Sequence, residues 1–248
     1  MNMSQKKIRQ KQNLENNTLI DSNTRYEGEW WLKTNKPHGR GIQVWNDGSL
    51  YVGQMKAGSA NGPGRLIHAD WDVYEGNWED DEASGFGIFY HSDGAKYEGD
   101  WLDDKQHGQG YEQWPDGSSF RGSYVKGKKQ GIGKFIWESG NEFKGNFKDN
   151  IINGYGKHVW KDGRVYDGKW SNNKMHGRGK FTWPDGRVYE GEYYKDKKQG
   201  RGTYKWPDGR EYNGTWHNGN QHGEGVYTTS DGEKKKGEWR EGKRVKWL

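Results

Sequence analysis

Residues 166–188 read YDGKWSNNKMHGRGKFTWPDGRV, and most of the chain on either side is a copy of this stretch. Its opening aromatic returns as Tyr26, Tyr51, Tyr74, Tyr97, Phe120, Phe143, Tyr189 and Tyr212, at one step of 25 residues and then steps of 23, before Lys235 takes the slot. A fixed period of this length means a repeat architecture in which each unit packs on its neighbours. Nine units and a closing half unit fill residues 26–242. Residues at i, i+2 and i+4 of a strand share a face. Tyr166, Gly168 and Trp170 therefore point one way, and Asp167 and Lys169 the other. In a second strand Gly177, Gly179, Phe181 and Trp183 repeat the aromatic face, with Arg178, Lys180 and Thr182 opposite. Glycine ordinarily weakens a strand, so its fixed place beside large rings predicts that the rings lie over the space it leaves.

Two connections alternate. A polar loop such as Ser171 to His176 joins the strands of a unit, and a turn such as Trp183-Pro184-Asp185-Gly186 joins units. Proline presets the turn and glycine accepts the left-handed position that closes it. Hairpins joined by hairpins predict an all-β fold, an elongated single-layer twisted antiparallel β-meander of about nine 23-residue hairpin repeats. About nineteen strands at ~4.8 Å spacing would span about 90 Å, twisted and curled. Residues 1–25 carry no repeat and read as a polar tail, either solvated or ordering on a partner. Residues 243–248 read as a basic C-terminal cap, because lysines at an edge discourage further pairing.

Hydrophobic residues make up 29% of the 248, well below the ~45–50% apolar content of globular chains, so no two-layer core is expected. Yet 15 Trp, 15 Tyr and 7 Phe set the chain apart from disordered sequences and leave the packing to aromatics. Without cysteine there is no disulfide framework, and a reducing, cytoplasmic setting is the natural expectation. No apolar run approaches the ~18 residues of a membrane span, so no transmembrane segment is expected. Charge is uneven along the chain. Residues 26–124 hold 8 Lys/Arg against 17 Asp/Glu, a balance of −9; residues 125–248 hold 27 against 16, a balance of +11.

The series aromatic-x-Gly-x-aromatic, polar loop, Gly-x-Gly and Asp-Gly at a period of 23 resembles the MORN (membrane occupation and recognition nexus) repeat family over residues 26–242, best at 97–117, 166–186, 189–209 and 212–232. The resemblance implies a non-enzymatic scaffold built on an elongated single-layer array. Members that are repeats and little else include radial-spoke-head components of the cilium and flagellum and proteins of the protist cortical cytoskeleton. It therefore implies protein-protein interaction within a cytoskeletal assembly such as an axoneme, the alternative being a peripheral adaptor on anionic phospholipid. The second unit departs furthest from the pattern, with Met55, Pro63 and Asp70-Trp71 in place of the usual residues, and predicts an irregularity near residues 55–72.

Candidate sites are weighed across the copies. His38, His107, His176 and His222 precede Gly-x-Gly, but Asn61, Ser84, Gln130, Asn153 and Gln199 fill the same slot, so the slot asks for a hydrogen-bonding loop residue, not a metal ligand. The Gly-x-Gly pairs lack the spacing of a phosphate loop, and Asp before glycine is a turn residue. No catalytic constellation, cofactor or metal is expected. Tryptophan fills two slots: Trp30, Trp78, Trp101, Trp170, Trp216 and Trp239 in first strands, and Trp45, Trp114, Trp137, Trp160, Trp183 and Trp206 in second strands. A single layer cannot bury all of these, so the row running from Trp101 to Trp239 is a candidate groove for an extended peptide or a second array. Trp31, Trp71 and Trp247 stand outside the pattern as candidates for specific contacts. A basic interaction surface is expected from Lys126, Lys128, Lys129, Lys195, Lys197, Lys198, Lys234, Lys235 and Lys236, with Arg164, Lys169, Arg178 and Arg187. It suits an acidic protein partner, an anionic phospholipid, or the acidic half of another copy in a homodimer, whereas nucleic acid is not expected.

Overall fold

The computed structural model describes residues 18–31 and 33–248 and is built of antiparallel strands. The described residues form two compact units, divided between Pro115 and Asp116. The first holds nine strands, from Thr18–Asp21 to Lys105–Gln113, and the second twelve, from Ser119–Val125 to Lys243–Trp247. Within each unit every strand pairs with the next in chain order, the meander that the hairpin periodicity predicts.

Each repeat packs its opening ring along its own strand. Tyr166 is buried, and its hydroxyl donates to the carbonyl of Lys169 at 2.9 Å. The ring thereby lies over Gly168 and over Gly179, which faces Gly168 across the hairpin. A Cβ placed on Gly179 would sit 2.5–2.6 Å from carbons of the Tyr166 ring. These two glycines are required by close approach. The first glycine of the pair, Gly177, serves differently: it has φ of +64° and faces Tyr193 of the next unit, while the strand before it carries a bulge between Gly168 and Trp170. Glycines opposed in this way form a row across each unit, with Gly156, Gly168, Gly179, Gly191 and Gly202 in direct register from strand to strand. A row without stagger does not accumulate the shear that closes a barrel, so each sheet stays open and uncurled where the strand count predicted curling.

Rings meet edge to face along the units. Tyr166 contacts Trp170 at 5.1 Å and 90° and Tyr193 at 5.2 Å and 84°, an arrangement that aromatic quadrupoles favour. Because each ring touches its own strand's partner and that of the next unit, the packing is continuous without a second layer.

The loops within units are tighter than the polar loop read from sequence. Outside the first unit, where Trp31 pairs with Lys36, they are two-residue turns whose residues take positive φ, as in Asn172 (50°) and Asn173 (61°) or Asp80 (48°) and Asp81 (71°). The second residue also fastens the preceding unit. Asn173 Oδ1 accepts from the Ile152 N–H at 2.8 Å, Asp81 from Ala60 at 2.6 Å, and Asp196 from Met175 at 2.8 Å. In the turns between units, Gly186 has φ of +88° and its N–H donates to Trp183 O at 3.0 Å, and Asp185 Oδ1 accepts from the Arg187 N–H. The aspartates are turn residues, as the sequence reads them.

The second unit of the repeat is regular through its strands. Met55 is buried, Pro63 faces Asn77 in an unbroken register, and the expected irregularity reduces to the turn. There Trp71 occupies the glycine position with φ of 72°, its N–H still donating to His68 O at 3.0 Å. At the N-terminal side Thr18–Asp21 forms a strand paired with Thr24–Trp31, so part of the stretch read as a tail extends the sheet. Residues 1–17 of that tail lie outside the described residues.

Candidate interaction surfaces

Alternation along the strands gives each unit an aromatic face and a charged face, and the candidate residues divide between them. On the aromatic face Trp170, Trp216 and Trp239 are buried and Trp101 half-buried. The indole N–H groups of Trp101, Trp170 and Trp216 donate to Gly87, Gly156 and Gly202 carbonyls at 3.2, 3.0 and 3.0 Å. Those first-strand rings form the core. The second-strand rings Trp114, Trp137, Trp160, Trp183 and Trp206 are only half-buried. In the C-terminal unit Trp137, Trp160 and Trp170 with Phe135, Ile152 and Met175 line a hollow of about 500 Å³. His158 stands in it, stacked on Trp137 at 5.1 Å and beside Trp160 at 4.2 Å. Its Nε2 is buried without a hydrogen-bond partner among the described residues. Burial, and secondarily Arg164, holds its pKa below the ordinary histidine value, so this imidazole favours the neutral form.

The basic candidates do not converge on one surface. Lys126 and Lys195 open two-residue turns and Lys128 and Lys197 follow them, all exposed at one margin of the sheet, with Lys128 paired to Asp149 at 3.4 Å. Arg164 and Arg187 lie at the opposite margin, each bound through Nε to the turn aspartate at 2.7 Å and resting 5.3 Å over Trp160 and Trp183. Lys169 and Arg178 project from the charged face. Lys234 is exposed, while Lys235 and Lys236 pair with Glu233 and Glu224 at 3.0 and 2.8 Å.

Lys129 and Lys198 turn inward, because their slot faces the rings; in other copies it holds Ala60, Ala83, Ile152 and Met175, and also Gln106 and Gln221. The Lys129 ammonium lies 5.1 Å from the Phe120 ring centre. Lys198 sits among four rings, with centroids at 4.6 Å (Tyr204), 4.7 Å (Trp216), 5.0 Å (Tyr189) and 5.2 Å (Trp183). Burial, with Arg187 adding repulsion, lowers its pKa to about 8. The run of lysines at 195–198 thus contributes to two different environments.

The slot before Gly-x-Gly bonds the turn of the next unit. His38 Nδ1 accepts from Ala57 N–H at 3.3 Å, and Gln130 and Gln199 do so from Asp149 and Asn218 at 2.9 and 3.1 Å. A hydrogen-bonding side chain is what those copies share, as the substitution pattern indicates. Among the described residues no group of three or more His, Cys, Asp and Glu side chains could hold a metal ion, and no helix is long and apolar enough to cross a membrane.

Ten consecutive stretches match the MORN repeat model: residues 26–50, 51–73, 74–96, 97–119, 120–142, 143–163, 166–186, 189–209, 212–234 and 236–245. The chain belongs to the MORN repeat family. MORN repeats are non-enzymatic modules that engage proteins and lipids. No curated protein matches the sequence. Among solved structures, the wild-type TCP10 domain of Danio rerio CPAP in complex with a peptide of Danio rerio STIL is similar at 12% identity and a TM-score of 0.51, over 86% of this chain and 95% of that one. The same domain alone gives 11% and 0.46, over 84% and 98%. The SAS-4 (dCPAP) TCP domain of Drosophila melanogaster with a proline-rich motif of Ana2 gives 11% and 0.24, over 80% and 83%. At 12% identity the first of these shows a likeness of fold alone.

Two features of the surface escaped the sequence reading. The inward turn of Lys198 was legible in principle from Ala60, Ala83, Ile152 and Met175 in its slot, although Gln106 and Gln221 share it. The vertical alignment of charged-face residues was not, because it depends on strand register as well as on the period.

Proposed function

We propose that this protein is a non-enzymatic scaffold that binds other subunits of a cytoskeletal assembly through the open tryptophan row of its aromatic face. The observation that carries the reading is the half-buried row at Trp137, Trp160, Trp183 and Trp206, with the hollow around His158. Large rings already held in place by the repeat lose little entropy on binding, and tryptophan is favoured at the centres of interfaces. The CPAP domain that shares the fold has a structure in complex with a peptide of STIL, which supports a protein partner here. The family resemblance extends the reading to a ciliary or flagellar axoneme, in a complex of the radial-spoke-head kind. Purification of the native assembly tests it. Axonemal proteins should be recovered with the wild type and lost with a folded Trp137→Ala/Trp160→Ala variant; recovery of membrane proteins alone would overturn the reading.

A further inference from the structure

The charged face of the C-terminal unit carries a row of like charges. Its strands place Arg121 opposite Lys134, Lys134 opposite Lys144, and Lys144 opposite Lys157. Opposed residues on one face lie about 5 Å apart, and like charges there are destabilising. Glu142 pairs with Lys134 at 2.9 Å, and Asp167 follows Lys157 in the row. Lys144 and Lys157 are exposed and make no ion pair among the described residues. The repeat does not demand this. In the N-terminal unit the same slots read Ile42, Val52, Arg65, Glu75, Ile88 and Glu98, with no two adjacent cations.

The row is one wall of a trough. Between it and the next charged-face slot lie Gly133, Gly145 and Gly156, whose positions face the rings on the other side of the sheet, so no side chain stands between the two rows on this face. The other wall bears Ile132 and Tyr155, each 66% exposed, with Asn146 opposite Ile132 and Lys169 opposite Tyr155. From Tyr155 onward the trough continues as a groove of about 810 Å³ over Gly168, Gly179, Gly191 and Gly202, between walls that include Lys180 and Glu190 on one side and Arg178 and Arg201 on the other. Residues i and i+2 of a strand are about 7 Å apart, so the trough has the width of one polypeptide chain. It has a cationic wall, a mixed wall with two exposed apolar side chains, and backbone between them.

We propose that this trough binds an extended acidic segment of a partner protein laid across the strands, with carboxylates on Lys134, Lys144 and Lys157 and an apolar side chain against Ile132 and Tyr155. Charge complementarity selects the acidic chain, and the occupant relieves the repulsion that the row builds into the unliganded sheet. A lipid headgroup layer would meet the cations but could not use a trough one chain wide or the two apolar side chains inside it. The site lies on the face opposite the tryptophan row, so it stands or falls separately from the assignment above.

Fluorescence anisotropy on the full chain tests the proposal, with a labelled peptide alternating Glu and Ser around one central Leu, and the same peptide with Gln for Glu. The Glu peptide should bind at physiological salt, weaken as salt rises, and lose about tenfold or more in affinity with Lys144→Gln/Lys157→Gln. That variant should melt at a temperature equal to or above the wild type, because two sources of repulsion are gone. Folded Trp137→Ala/Trp160→Ala should bind the peptide like the wild type. Equal binding of the Glu and Gln peptides, or undiminished binding by the lysine variant, overturns the proposal. So does flotation with vesicles of phosphatidylcholine and phosphatidylserine in equal parts when the peptide fails to bind.

Discussion

Replacing Lys198 by methionine should stabilise the protein near neutral pH, which is unusual for removing a side chain that touches four rings. Its ammonium is drawn from the ordinary lysine value of 10.5 to about 8 by burial first and by Arg187 second. A shift of this size corresponds to about 3 kcal/mol against keeping the charge inside. One ammonium cannot face four rings at full strength, so together the rings favour the cation by about 1–2 kcal/mol and offset part of that. The net cost is about 1–2 kcal/mol, and Met175 shows that methionine is accommodated in the equivalent slot of the preceding unit. The sign follows from linkage. The folded pKa lies below the unfolded one, so the destabilisation is complete below about 8 and disappears as pH rises from there through the unfolded value. Thermal melts of both proteins should show Lys198→Met higher in Tm by about 2–6 °C near neutral pH, with the gap closing toward pH ~10. A variant that melts lower than the wild type near neutral pH, or a gap that is independent of pH, would refute the reasoning.

Other expectations follow from the packing of the repeat. Gly179→Ala should cost about 1–3 kcal/mol, because its methyl enters the buried Tyr166 ring, and Gly186→Ala, where the cost is backbone conformation alone, about 1 kcal/mol; chemical denaturation separates the two. Trp71→Gly should raise Tm by about 2–4 °C by relieving a left-handed tryptophan that is 76% exposed, and a fall would mean that the ring makes contacts worth more than its strain. Burial raises the phenol pKa of Tyr26, Tyr51 and Tyr212 to about 12, and those of Tyr74, Tyr97, Tyr166, Tyr189 and Tyr193 further still. Their contribution is whole below the unfolded value of 10.0 and is lost as pH climbs through the folded values, so circular dichroism should show cooperative alkaline unfolding above pH ~10.

The meander, the aromatic face and the turn chemistry were legible because each copy of the repeat tests the others: a residue that recurs is geometric, and one that varies is free. That comparison distinguished His38 from a metal ligand once Gln130 and Gln199 were seen in its place. It had no means of finding the two-residue turns, since Asn172-Asn173 and the polar residues around them look alike in composition and differ only in φ. Nor could charge counting find the true placement of the lysines. Lys197 and Lys198 are neighbours in sequence, yet the pleat sends one to solvent and the other among rings.

The same logic locates where specificity can reside. Tyr166, Gly168, Gly179 and Trp170 are bound to one another by close packing, and changing any of them disturbs the fold before it alters recognition. The charged-face slots carry no such obligation: Lys134, Ile88, Thr203 and Val226 occupy one repeat position with no disturbance of strand pairing. A repeat protein of this kind can therefore change partners by rewriting one face while the other keeps it folded. A run of four opposed cations in a slot so free of structural demand is retained at a cost to stability, and an anionic partner removes that cost.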